Sequence, residues 1–591
     1  MRTHREPKVK LHPARGATRR RLQLSVPDGA VLVAALCFML YMWGLWTVPF
    51  YEKGEPREGL VVWEIWHNGD WILPLRGGTD IPSKPPLFHW IAALVSLSSG
   101  AFNEFTVRFP SALLASLGVL LIYRTAARQW GVGAGLVAAA VLATCPEWWR
   151  AAVSARVDMT LTFFMLCTFL YFYALYKAGG GVVPSLLLAL FAGLATLAKG
   201  PVGAALPGVA ALWFLWAKRD FRFIKQLHLP LAIPLGIVVA GSWYVLAWFE
   251  GGEQFFSRQI VHEIIGTPLG GAGHNHNILY YVPALFSGMA PWSLFLPGLG
   301  IFLFRQRRRL AEKELLYPLV WFGAVFVVLS LALGKRSVYI LPLYPAVALL
   351  FGAWWSDLSA GTAAASGWAK AAALIVAAFF AGVGVTIAAQ AFGLDVVAAA
   401  PRFLRPRNRD GLMLIGELLS RHRATLLVCG MVSVAGAGFL ICEARRNAWN
   451  GVVLSLAMVL MICLSAIQST FHPAFAANYS FRPFMARVRE KTPARTPIVF
   501  YRTATKAAGF YARAYLPSFQ PLARPAAPPY YLLLWEDEWQ TLRGRKGLTE
   551  IDASETTAWD GDRRLVLVSV SDGADLRLPQ ITEPAEDGSE P

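Results

Sequence analysis

Apolar residues in this chain come in long unbroken runs, not in the alternations and stripes of a water-soluble protein. Runs near 20 residues recur from Val31 to Gln468, the length an α-helix needs to cross hydrocarbon. The first extends from about Ala30 to Val48. Others start near Ser111, Gly131, Thr160, Pro184, Val202, Leu229, Ile278, Leu316, Val338, Ala371, Thr425 and Val452. The pattern predicts an α-helical polytopic membrane protein with about 13 transmembrane helices. It does not fit a membrane β-barrel, whose signature is a regular series of short alternating segments.

The pattern breaks in two places. Between residues 50 and 108 Pro, Gly and charged residues interrupt the chain. They leave two short helices, predicted at about 56–68 and 85–98, lying along the membrane surface around a cavity. Beyond Phe471 the period shortens. Segments 495–501, 530–535 and 563–570 read as strands and 480–491 as a helix. The chain therefore divides into a basic tail (1–28), a transmembrane domain (29–470) whose first outer loop is 50–108, a small C-terminal α/β domain (478–580), and a tail (581–591) rich in Glu, Pro, Gly and Ser.

Charge orients this arrangement. Only 16% of residues are charged, where a soluble domain carries about a quarter. The net charge is +18, from 55 basic and 37 acidic residues. Between apolar runs such a surplus marks cytoplasmic loops and favours anionic lipids, so membrane lipids are the expected partner and nucleic acid is not. With the tail Arg2–Arg21 inside, alternation puts the basic loops 124–128, 218–225, 305–313 and 445–446 in the cytoplasm. Segments 50–108, 145–159, 198–201, 250–277, 334–337, 394–423 and all after about 471 lie outside. Segment 394–423 is basic yet outer, the exception. The expected location is the cytoplasmic (inner) membrane of a bacterium, with the N-terminus cytoplasmic and the C-terminal domain extracytoplasmic. The six cysteines lack CxxC spacing and read as small buried hydrophobes, and no GxxxxGK[ST] loop suggests nucleotide hydrolysis.

The chain holds an ordered set of elements, most of them in the outer segments. They are Glu55-Pro56-Arg57, Gly69-Asp70-Trp71, Lys84-Pro85-Pro86-Leu87 and Arg108-Phe109-Pro110-Ser111-Ala112, then Arg156-Val157-Asp158, Lys199-Gly200-Pro201, Pro291-Trp292-Ser293, and Lys335-Arg336 leading to Tyr339. The series resembles the protein-mannosyltransferase and aminoarabinose (lipid A) transferase superfamily of multi-span C-type glycosyltransferases, over about residues 30–350. The resemblance implies transfer of a sugar from a polyprenyl-phosphate donor to a lipid A-like, envelope-glycan or protein acceptor on the extracytoplasmic face, with inversion at the anomeric carbon. Two positions depart from the family: Gly54 stands where it has Asp, and Ser83 where an acidic residue precedes the Lys-Pro-Pro box.

Such a donor needs cations for the departing phosphate and a carboxylate for the acceptor's proton. Lys84, Arg57, Lys335 and Arg336 are the candidate phosphate ligands. Glu55 is the candidate base, with Glu52 or Glu58 as substitutes, and Asp158 assists or positions the acceptor. The structural alternatives are lysines snorkelling to the interface, a helix-start charge for Glu55, and an ion pair of Asp158 with Arg156 or Arg150. His262, His274 and His276, with Tyr339, are candidates for a lid or acceptor contact. His274-Asn275-His276 raises a divalent metal, but its third and fourth ligands are not apparent from spacing, so no metal ligands are assigned. Two other classes compete with the enzyme: a transporter or flippase for a lipid-linked substrate, which would place charges in mid-span, and a non-catalytic scaffold.

Overall fold

The computed structural model describes residues 25–76, 80–266, 276–361, 366–394, 416–493, 496–502, 505–512, 529–559, 563–572 and 574. Each of the thirteen apolar runs contains helix. Eight helices are long and apolar enough to cross a membrane by themselves, and two more spans arise if each bent pair counts as one: Val132–Thr144 with Pro146–Ala152, and Tyr281–Gly288 with Trp292–Arg305. Val26–Met42, Val202–Lys218 and Leu316–Leu331 are shorter apolar helices. The protein is thus a multi-pass helical membrane protein. The basic tail before Ser25, His274, the last residues and most of segment 394–423 lie outside the described residues.

Helix starts follow local chemistry. Ser25 caps the first helix in a capping box with Asp28, and Asn103 caps Glu104–Trp130 in one with Thr106. Both short helices expected between residues 50 and 108 form, at Gly54–Asn68 and Leu87–Ser99, and each ends on a glycine in the left-handed region, Gly69 and Gly100. The bundle interior holds large buried rings such as Trp148, Trp292, Trp321 and Trp354. Outward positions such as Ile237, Val238 and Trp216 are mostly exposed, as expected where the solvent is lipid.

The C-terminal part forms a four-stranded sheet: β1 (Ile498–Phe500), β2 (Tyr530–Trp535), β3 (Leu548–Ala553) and β4 (Leu565–Val570), in the order β1-β2-β4-β3. β1 runs parallel to β2, and β2–β4 and β4–β3 are antiparallel. The helix expected at 480–491 is Arg482–Lys491. Strand β3 escaped the sequence reading because its residues, Leu-Thr-Glu-Ile-Asp-Ala, bury little and slip register between Glu550 and Asp552.

Period-2 alternation gives the sheet two working faces. Leu532 and Leu534 pack with Trp539 and Leu542 on one side. Leu533 and Trp535 face the other way, into a core built jointly with Phe50, Val62, Trp63, Phe88 and Phe102 of segment 50–108. Phe510 fills its centre, 4.6 Å from the Phe50 ring and 5.0 Å from that of Phe102. A Cβ on Gly59 would come within 2.7 Å of Phe510, so only glycine allows this approach. Tyr511 completes the seam: its hydroxyl accepts from Phe50 N–H (2.6 Å) and lies 3.0 Å from Glu104 Oε1. The sheet therefore braces the loop that carries Glu55.

Candidate active site

Where helix Gly54–Asn68 begins, the chain concentrates charge against the starts of helices Glu104–Trp130 and Val157–Ala178. Arg108, one turn into helix Glu104–Trp130, is 1% exposed. It forms a fork with Glu55: Nε to Oε1 and Nη2 to Oε2, both 2.7 Å. Its Nη1 donates to the carbonyls of Val48 (2.5 Å) and Leu45 (3.3 Å), and its guanidinium lies 4.7 Å from the Phe50 ring centre. Glu55 Oε1 also accepts from Ala155 N–H at 2.9 Å. Burial pushes the Glu55 carboxyl up, but the charge and hydrogen bonds of Arg108, with Ala155 N–H, outweigh it and hold the group below the usual carboxylate range. Glu58, one turn on, is treated likewise. Burial opposes ionisation, while Arg57 (Nε 3.0 Å) and His89 (Nε2 2.8 Å) more than compensate, so it too is held well below the usual range.

A cavity of about 440 Å³ opens beside this clamp. Tyr51, Glu52, Glu55, Arg150, Arg156 and His472 give its lining charge and polarity, and Trp149, Val153, Leu418, Leu419, Ile467, Phe471 and Phe475 give it apolar surface. Arg156 Nη2 meets Glu52 Oε2 at 3.3 Å, and Arg150 is held by Glu147 at 2.5 Å. Arg156 also leads into helix Val157–Ala178, whose first turn carries Asp158. Asp158 is paired with Lys199 at 2.5 Å, not with Arg156 or Arg150, and the Lys199 ammonium sits 4.3 Å over the Tyr339 ring. Arg156 and Arg336 both lie within electrostatic range of Asp158.

The remaining candidates spread along the rim. Lys84 pairs with Glu263 at 2.5 Å, and Gln259 donates to the Pro82 carbonyl, so the π-helical stretch Ser257–Gly266 is fastened over the Lys-Pro-Pro turn. Lys335 is buried and does not line the cavity: its ammonium donates to the carbonyls of His276 (3.0 Å) and Ala332. It anchors the turn that presents Arg336. His276 stacks on Tyr280, and His262 is half exposed, 3.9 Å from Glu263. Among the described residues no three His, Cys, Asp or Glu side chains converge as metal ligands do. Arg108, Lys199 and Arg156 were visible beforehand only as letters of motifs. Their roles depend on contacts 41 to 104 residues away in sequence, which no spacing rule reports.

Comparison with known proteins agrees with this architecture. Residues 83–246 match the family model described as dolichyl-phosphate-mannose-protein mannosyltransferase. The chain is 28% identical over 328 residues to the undecaprenyl phosphate-alpha-4-amino-4-deoxy-L-arabinose arabinosyl transferase of Erwinia tasmaniensis, covering 54% of this chain and 58% of that one. It is 26% identical over 440 residues to the enzyme so named from Enterobacter sp. (strain 638), covering 69% and 75%. Over these stretches the chain is similar to protein mannosyltransferases and aminoarabinose transferases. The crystal structure of ArnT from Cupriavidus metallidurans bound to undecaprenyl phosphate superposes with a TM-score of 0.73 at 20% identity, over 92% of this chain and 98% of that one, so the two chains share a fold over most of their length. The chain spans less than three fifths of the length of the Erwinia relative (58%) in the sequence match.

Proposed function

We propose that this protein is a membrane glycosyltransferase that moves a sugar from a polyprenyl-phosphate donor to a lipid A-like, envelope-glycan or protein acceptor. It works in the inner membrane with its N-terminus in the cytoplasm and its C-terminal domain, residues 478–580, on the extracytoplasmic face. The observation that carries this reading is the cavity beside the Glu55–Arg108 clamp. Its lining combines apolar surface suited to a lipid with carboxylates and guanidinium groups. Relatives named as undecaprenyl-phosphate sugar transferases support the donor class.

In this reading the departing phosphate, an anion in the transition state, is stabilised by fixed cations. Arg336, Arg57 and Lys84 supply them, Lys84 exchanging Glu263 for a phosphate oxygen. Lys335 holds the Arg336 turn. Asp158, with Lys199, orients the acceptor. Glu55 takes part through Arg108, setting the shape of the cavity's charged lining. The histidines and Tyr339 border the acceptor's path.

The test is transfer of label from a panel of polyprenyl-phosphate sugars by the purified protein in liposomes with lipid A-like, glycan and protein acceptors. Incorporation into one acceptor class supports the proposal and names the acceptor. Movement of the labelled lipid between leaflets without transfer would instead establish a flippase, and neither activity would leave a scaffold.

A further inference from the structure

The carboxylates around the cavity differ in what they leave for a ligand. Glu55 gives both oxygens to Arg108, and one of them also to Ala155 N–H. Asp158 is 12% exposed and held by Lys199. Glu58 lies between Arg57 and His89. Glu52 is different: its side chain is 40% exposed, it lines the cavity, and its ion pair is a single 3.3 Å contact. The partner in that contact reaches it by an unusual route. A Cβ built on Gly54 would lie 2.2 Å from Arg156 Nη2 and 2.6 Å from its Cζ. The guanidinium therefore crosses the bare backbone at residue 54 to meet Glu52, and a side chain at 54 would push it away.

We propose that Glu52 is the general base of the transfer, that Arg156 is the positioning residue that aims it, and that Gly54 is the gap through which they meet. This rests on the glycosyl-transfer reading above. As the acceptor oxygen bonds to the anomeric carbon, its proton passes to a Glu52 carboxylate oxygen. The bond from that carbon to the donor's phosphate oxygen breaks, and its electron pair leaves with the polyprenyl phosphate. Glu52 then releases the proton to water through its exposed side. The apolar lining of Ile467, Phe471 and Phe475 keeps bulk water from the other. A base must touch the proton it takes, and of these four carboxylates Glu52 is the most exposed.

The experiment compares Glu52→Gln, Glu52→Asp and the double variant Glu52→Gln/Gly54→Asp, in liposomes, on the donor and acceptor that the unaltered protein uses. Donor binding and melting temperature are measured beside the rate. Glu52→Gln should lower kcat by about 10²–10⁴-fold with donor binding and melting unchanged. Glu52→Asp should retain part of the rate. The double variant should regain rate over Glu52→Gln, because the displaced guanidinium stays within reach of the new carboxylate, which stands at the same edge of the cavity. A merely structural Glu52 predicts no such rescue. Full-rate transfer by Glu52→Gln would overturn this inference and leave the glycosyltransferase reading standing. So would folded, donor-binding Glu52→Asp and double variants that stay as slow as Glu52→Gln. No transfer by the unaltered protein on any donor would overturn both readings.

Discussion

The head of helix Gly54–Asn68 and the rim that faces it are built from the same residue types, acidic and basic side chains in pairs. Their surroundings make them opposites. At the head, Glu55 and Arg108 are 8% and 1% exposed, joined by two 2.7 Å bonds, with their spare valences taken by backbone groups of residues 45, 48 and 155. At the rim, Glu52 and Arg156 are 40% and 24% exposed and touch once at 3.3 Å, and Lys84 and Glu263 are 22% and 12% exposed. Desolvation makes a pair expensive to break and therefore architectural. Partial exposure leaves a pair free to exchange its partner for a substrate. Sorting charged residues by how fully they are satisfied thus separates scaffold from chemistry, which residue identity alone does not.

The largest effect should come from breaking the head. Arg108→Met leaves Glu55 buried without its cation and should cost about 3–5 kcal/mol, read as a large fall in the melting temperature of the detergent-purified protein. The double variant Arg108→Met/Glu55→Met removes the stranded charge and should recover most of the loss. A single variant that melts like the unaltered protein would show that the clamp does not hold the fold. Acid acts on the same region. Glu55 and Glu58 ionise below their ordinary value of 4.5, so the unfolded chain binds more protons at low pH. Their contribution is complete above about pH 4.5 and is lost as the pH falls through their folded values. Melting temperature should therefore decline on the acid side, and Glu58→Gln should flatten that decline.

A smaller effect should come from the seam between the sheet and segment 50–108. Tyr511→Phe removes the hydroxyl shared by Phe50 N–H and Glu104 and should cost about 1–3 kcal/mol. Glu104 keeps Arg482 at 3.4 Å, which places the value toward the lower end. If the seam holds the active loop in place, the variant should also slow transfer at temperatures where it remains folded.

How far the sequence foretold this molecule follows from the range of the forces involved. Helices in lipid announce themselves locally, because every backbone group must bond within its own segment and every side chain must be apolar. That is why thirteen runs were readable and each contains helix. The two short helices between residues 50 and 108 and strands β2 and β4 were legible for the same local reason, through Pro breaks and β-branched or aromatic runs. The charged site was legible only as a collection of letters. Asp158 was expected to pair with a neighbour in sequence, but its partner Lys199 arrives at the end of the next span. Lys335 and Arg336 looked equivalent, yet the backbone turns one into carbonyls and leaves the other within range of Asp158. Gly54 looked like a lost carboxylate, and packing makes it a passage for Arg156.

The smallest stability effect belongs to the rim, and it is the sharpest test of the contrast. Lys84→Met breaks the ion pair with Glu263. The pair is only partly buried, so the melting temperature should fall less than for Arg108→Met. Binding should respond instead. A hydrogen bond to a charged group is worth about 1.5–3 kcal/mol, so losing the cation that meets the phosphate should weaken polyprenyl-phosphate binding by about 10- to 100-fold. Glu263→Gln removes the competitor for the same ammonium, so it should leave binding intact or tighten it. Titration of polyprenyl phosphate into both variants decides the matter. Equal weakening in both would mean that the pair serves to fasten the Ser257–Gly266 stretch. Opposite responses would mean that Lys84 is held in reserve for the donor, and that the rim differs from the head in function as well as in exposure.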